Sequence, residues 1–139
     1  MRIVSAESEA EELLIRVQER MPGSRLAEDA GMELAVFYFE RRRMGLAADA
    51  YALFIENYPR SEQSPKARRR LIYSHLAAFK GPEFDALGLT EARSALRRLQ
   101  MFHPMEAEQI AAAGLLTRID ESNAMKMLET ARWYLRTGD

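Results

Sequence analysis

Apolar positions along the chain fall into amphipathic stretches that stop at three similarly placed prolines: Met21-Pro22, Tyr58-Pro59 and His103-Pro104. The stretches share one internal arithmetic. Twelve residues before each of these prolines stands an alanine (Ala10, Ala47, Ala92), eight before it a large apolar residue (Leu14, Tyr51, Leu96), and five before it another (Val17, Phe54, Leu99). Steps of four and three put these positions on one helical face. Each stretch therefore predicts a helix with a small residue where a neighbour crosses closely. Proline cannot continue a helix and pushes the preceding residue toward extended backbone, which sets the stop.

A second helix follows each proline. Gly23-Ser24 opens a predicted helix over Leu26 to Arg43, with Leu34, Ala35 and Tyr38 on one face. Beyond Pro59 a helix is predicted over Ser61 to Phe79, with Ala67, Leu71, Ile72 and His75 on the matching face. Near the C-terminus Glu129-Thr130-Ala131-Arg132-Trp133-Tyr134-Leu135 repeats the pattern of Glu33-Leu34-Ala35-Val36-Phe37-Tyr38-Phe39. The unit is thus helix, turn, helix, Pro, with spacings of 37 and 45 residues between prolines, the longer one carrying an insertion around Lys80 to Thr90.

This unit resembles the tetratricopeptide repeat, which has a period of about 34 residues, small residues at the helix crossing and a closing Pro. Leu34, Ala35, Tyr38, Ala47, Tyr51 and Pro59 match that family's signature positions, while His75 stands where the family has an aromatic. The resemblance implies an all-α, right-handed α-solenoid of antiparallel helix pairs, with about six helices in a single domain over residues 1–139. The chain opens on a helix of the second type, Ser5 to Arg20, and closes at Arg136-Thr137-Gly138-Asp139, where a repeat turns into its next helix. That pattern reads as a domain cut from a longer repeat protein, with an uncovered apolar face at either end.

Particular phrases narrow the resemblance. Glu56-Asn57-Tyr58-Pro59-Arg60-Ser61-Glu62-Gln63-Ser64-Pro65-Lys66-Ala67 resembles the YP-x-S-x-x-x-P-x-A junction of BamD-like outer-membrane assembly lipoproteins, and Pro22 to Ala30 is similar to it. Leu115 to Gly138, with Leu116, Ile119, Met127, Glu129, Ala131, Trp133 and Tyr134, is similar to the long helix pair that opens that family's next repeat. The resemblance implies a non-enzymatic scaffold on the periplasmic side of the outer membrane that helps fold and insert β-barrel proteins. Its implied partners are a barrel-assembly protein and a client's C-terminal strand. The family's lipidated N-terminal cysteine has no counterpart here, so any membrane attachment rests on an anchor this chain lacks. Two alternatives stand beside this reading: a general tetratricopeptide adaptor for envelope or cytoplasmic partners, and an accessory repeat domain of a multidomain enzyme.

Composition constrains the chemistry. Hydrophobic residues make up 47% and charged residues 29% of the 139 positions, enough for a core, and Gly and Pro are few at 7 and 5. Lys plus Arg is 20 against 21 for Asp plus Glu, which argues against a nucleic-acid binder. The absence of Cys excludes disulfides, thiolate metal sites and a cysteine nucleophile within this chain. No stretch approaches the roughly 20 apolar residues of a membrane span, and the N-terminus carries no targeting signal. His75 and His103 occupy repeat positions with structural roles, and neighbouring helical residues diverge by about 100°, so Ser74 and His75 set up no nucleophile pair. No cofactor or metal is expected.

The remaining candidates belong to a binding surface. By analogy with the family, Met32, Val36, Phe39 and Glu40 lie beside Arg69, Tyr73 and Leu76 along a protein-binding groove. Arg41-Arg42-Arg43 reads as a helix C-terminus that favours cations, and Arg68-Arg69-Arg70 as a solvated face from which Arg69 alone turns to the groove. The insertion offers Phe84 and Leu87 as a further contact point, since lengthened loops often carry function.

Overall fold

A computed structural model describes residues 5–79 and 87–138, apart from the side chains of Leu87 and Gly88. The insertion-loop candidates Phe84 and the Leu87 side chain lie outside the described residues. Among those residues there are seven α-helices and no strand. They are α1 (Ala6–Arg20), α2 (Arg25–Glu40), α3 (Met44–Asn57), α4 (Ser64–Ala78), α5 (Leu87–Phe102), α6 (Pro104–Gln109) and α7 (Ala112–Thr137). The chain is all-α, with one short helix more than the six predicted. It forms two compact units, residues 1–74 and 75–139, divided within α4.

The three proline junctions share one backbone. Met21, Tyr58 and His103 adopt φ/ψ of −129/49°, −133/59° and −139/63°. Each gives its N–H to the carbonyl four residues back, Val17 at 3.1 Å, Phe54 at 2.8 Å and Leu99 at 2.8 Å. The proline thus bars a further helical bond while its predecessor closes the last one. Serines then start the next helix. The Ser24 hydroxyl donates to the Met21 carbonyl at 2.6 Å and accepts from the Ala27 N–H at 3.1 Å. Ser64, buried, donates to the Tyr58 carbonyl at 2.6 Å, and Ser61 accepts from the Gln63 N–H at 3.1 Å. The third junction omits this turn: Pro104 is itself in the first turn of α6.

Helix α2 stops at Glu40, three residues short of the predicted Arg43. Arg42 lies at φ 57°, the Arg42 N–H reaches the Phe39 carbonyl at 3.1 Å, and the Arg43 N–H reaches the Tyr38 carbonyl at 2.9 Å. This pair of bonds is a Schellman motif with arginine where glycine is usual. The arginine run is divided by it. Arg41 pairs with Glu7 of α1 at 2.6 Å, and Arg43 lies 3.9 Å from Glu11 of the same helix.

In the first unit α2 packs on both α1 and α3. Leu34, Ala35 and Tyr38 join Ala47, Tyr51, Phe54 and Ala67 in one buried cluster, with Leu14 and Leu71 packed against it. Gly31 is buried with Gln18 of α1 and Phe54 of α3 close by; a Cβ there would lie 3.2 Å from the Gln18 side chain, so glycine permits the approach. In the second unit α5, α6 and α7 pack pairwise. Its buried residues include Ala92, Leu96, Leu99, Ala107, Ala112, Leu116 and Ile119. The Arg93–Asp120 pair at 3.0 Å ties α5 to α7. Two of the three matched sets are therefore core: Ala47/Tyr51/Phe54 and Ala92/Leu96/Leu99 are all at most 2% exposed. In α1 no residue is buried, and Ala10 is exposed.

Tyr38 gives this packing a pH signature. Its hydroxyl donates to Glu11 at 2.6 Å. Burial, that hydrogen bond and the Glu11 charge push its pKa up to about 12, against a smaller opposing effect of Arg43. The folded state therefore holds the phenol proton more tightly than the unfolded chain does. The resulting stability is fully present below the ordinary tyrosine pKa of 10.0 and is lost as pH rises toward about 12. Denaturant midpoints measured across this window should fall less for Tyr38→Phe than for the native chain.

Candidate binding groove

Once α2 has committed Ala27, Ala30, Gly31, Leu34, Ala35 and Tyr38 to packing, its remaining face carries Asp29, Met32, Glu33, Val36, Phe37, Glu40 and Arg41. These recur at helical steps of three and four, and with Gln63 from the turn before α4 they line a hollow of about 310 Å³. Met32, only 3% exposed, joins the hollow to the core beneath it; Val36 and Phe37 are half-buried. The rim is acidic. Glu33 and Glu40 form no ion pair among the described residues, while Asp29 lies 4.0 Å from Arg25. Among the described lining residues the one cation, Arg41, is held by Glu7 and stacks over Phe37 at 5.3 Å.

The seven groove residues expected from sequence divide into separate sets. Met32, Val36 and Glu40 line the hollow. Phe39 instead packs edge-on against Tyr51 at 6.1 Å and against Tyr73 at 5.5 Å. Tyr73 stays half-exposed, at 53%. Arg69 is exposed and touches neither aromatic through any ring contact. Its neighbour Arg70 occupies that place, with the guanidinium 4.4 Å from the Phe39 ring centre and donating to the Tyr51 hydroxyl at 3.2 Å. Burial raises the Tyr51 pKa, and the Arg70 bond and charge partly offset the rise. Leu76 is half-buried and lies in the second unit.

Arg70 and Phe37 were the functional candidates that sequence reasoning missed. Phe37 follows Val36 by one residue, and the basic stretch within α4 offers three consecutive arginines. Only the phase of α4 separates them.

The Ser74 hydroxyl donates to the Arg70 carbonyl at 2.7 Å, a bond back along its own helix. His103 Nδ1 lies 3.9 Å from Glu106. Among the described residues no three His, Asp or Glu side chains converge to hold a metal ion, and no helix is long and apolar enough to cross a membrane. No protein-family model matches the chain, and no curated protein matches it either.

Proposed function

We propose that the chain is a non-enzymatic protein-binding scaffold, a right-handed tetratricopeptide-like stack that takes a partner segment along the free face of α2. The observation that carries this reading is the hollow itself: an apolar base of Met32, Val36 and Phe37 under a rim of Asp29, Glu33 and Glu40. Such a surface suits an extended or helical peptide that presents apolar side chains beside Lys or Arg. The opposite face of α2 is fixed in the core, so the hollow is preformed and a partner orders only itself.

The finer reading is a BamD-like component of outer-membrane β-barrel assembly, acting on the periplasmic side. Its support is the Tyr58-Pro59 junction, where Tyr58 stacks on Phe54 at 5.4 Å and its carbonyl accepts the buried Ser64 hydroxyl. These are the residues that carry the resemblance. The test is a pull-down with the immobilised chain from detergent-solubilised bacterial envelopes. Recovery of a barrel-assembly protein is expected, with loss of at least about tenfold in affinity for Glu33→Lys with Glu40→Lys. Both residues are exposed, so helicity and melting temperature should hold. Recovery of soluble proteins alone contradicts the finer reading, and undiminished capture by the double variant contradicts the groove.

A further inference from the structure

Glu33, Val36, Phe37 and Glu40 face the hollow at i, i+3, i+4 and i+7 of α2: a carboxylate, two apolar side chains a turn on, and a second carboxylate a turn beyond them. At 1.5 Å per residue the two glutamates stand about 10.5 Å apart along the helix axis. Val36 and Phe37 are half-buried between them, and both glutamates are exposed.

The other charges around this strip are engaged or turned elsewhere. Asp29 lies 4.0 Å from Arg25 of its own helix. Arg41 is held by Glu7 of α1 at 2.6 Å, and Arg43 lies 3.9 Å from Glu11. Arg70 of α4 is spent on the Phe39 ring and the Tyr51 hydroxyl. Glu28 and Arg42 do not line the hollow. Glu33 and Glu40 are left with no ion pair among the described residues, one at either end of an apolar centre.

A complementary segment must present two cations about 10.5 Å apart on one face, with apolar side chains between them. A helix does so by its own period, since i and i+7 share a face at that distance and i+3 and i+4 fall between. A strand does not: its residues on one face recur at about 7 and 13 Å. Resting on the groove reading above, we propose that the hollow takes an α-helix of a partner protein that carries Lys or Arg at i and i+7 and apolar residues at i+3 and i+4. This is the helix-in-groove mode of recognition, with the apolar pair seated on Val36 and Phe37 and the exposed glutamates fixing the register.

Fluorescence anisotropy with the whole chain tests this on labelled peptides of about fifteen residues, stapled on the far face to hold a helix. The peptide with Lys at i and i+7 and Leu at i+3 and i+4 should bind with a dissociation constant below about 100 µM. Two controls should bind at least about tenfold more weakly: a stapled helix with its lysines moved to the opposite face, and an unstapled peptide whose central proline bars the helix. Glu33→Lys with Glu40→Lys should lose the first peptide and gain one that carries Glu at i and i+7. Binding of either control as tight as the first peptide, or an unchanged dissociation constant in the double variant, would overturn the proposal. So would failure of every peptide to bind. If the double variant then still captures less envelope protein than the native chain, the groove reading stands without its helical partner; if capture is undiminished, both fall.

Discussion

Replacing Phe54 with Ala is expected to cost about 3–5 kcal/mol, the range for deleting a buried aromatic ring. Phe54 is 2% exposed and sits in the cluster that joins α2, α3 and Ala67 of α4, with its ring against Tyr58. Its loss removes the apolar contacts of the ring and leaves a void that neighbouring backbones, held by Gly31's close approach, fill poorly. The same residue anchors the proline junction, since its carbonyl accepts the Tyr58 N–H. Guanidinium unfolding followed by circular dichroism should show a lower midpoint at unchanged slope. A change under about 1 kcal/mol would place Phe54 outside the core and dismiss the repeat register.

Leu99→Ala is expected to cost about 2–5 kcal/mol for the same reason in the second unit. Leu99 is also 2% exposed, and its carbonyl likewise closes the helix before a proline, through the His103 N–H. The two substitutions are thus one experiment at two equivalent positions. Val17 supplies the control. It matches them in sequence and in its bond to Met21, yet it is half-buried on a helix with no fully buried residue. Val17→Ala should cost no more than about 1 kcal/mol. Equal losses at all three positions would contradict the difference in packing that the structure describes.

That difference also marks how far the sequence is readable. The proline junctions were legible because proline acts through its own ring and its own predecessor, and the spacing back to Ala, Tyr or Leu follows from helix geometry alone. Burial of those positions was not. Ala10 and Ala47 look alike in the chain, but only a neighbouring helix decides that one is exposed and the other fully buried. Tyr134 repeats Tyr38 in pattern and differs from it in the same way.

Two helix ends that glycine does not mark share a single cause. Helix α2 stops at Glu40, two residues before Arg42, and the α6–α7 break falls at Ala111; Arg42 and Ala111 take left-handed backbone at φ 57° and 54°. A sequence announces such a turn by glycine or asparagine; here arginine and alanine take the conformation, whose cost of about 1–2 kcal/mol must be offset by packing. At the groove, α4 begins at Ser64 rather than Ser61, its first turn being spent on the Ser61 and Ser64 hydrogen bonds. The arginine brought against Phe39 is accordingly Arg70 and not Arg69. The α2 candidates Met32, Val36 and Glu40 did fall together, because the face left over by a packed helix is fixed once its buried residues are known.

The central claim is that the free face of α2 receives a partner protein. A photo-crosslinking amino acid at Val36, inside the hollow, tests it most directly when compared with the same group at exposed Arg60, which does not line the hollow. In intact bacterial cells the account predicts a discrete adduct from position 36 containing a barrel-assembly protein, and none from position 60. Equal labelling from both positions, or no adduct from position 36, would contradict it.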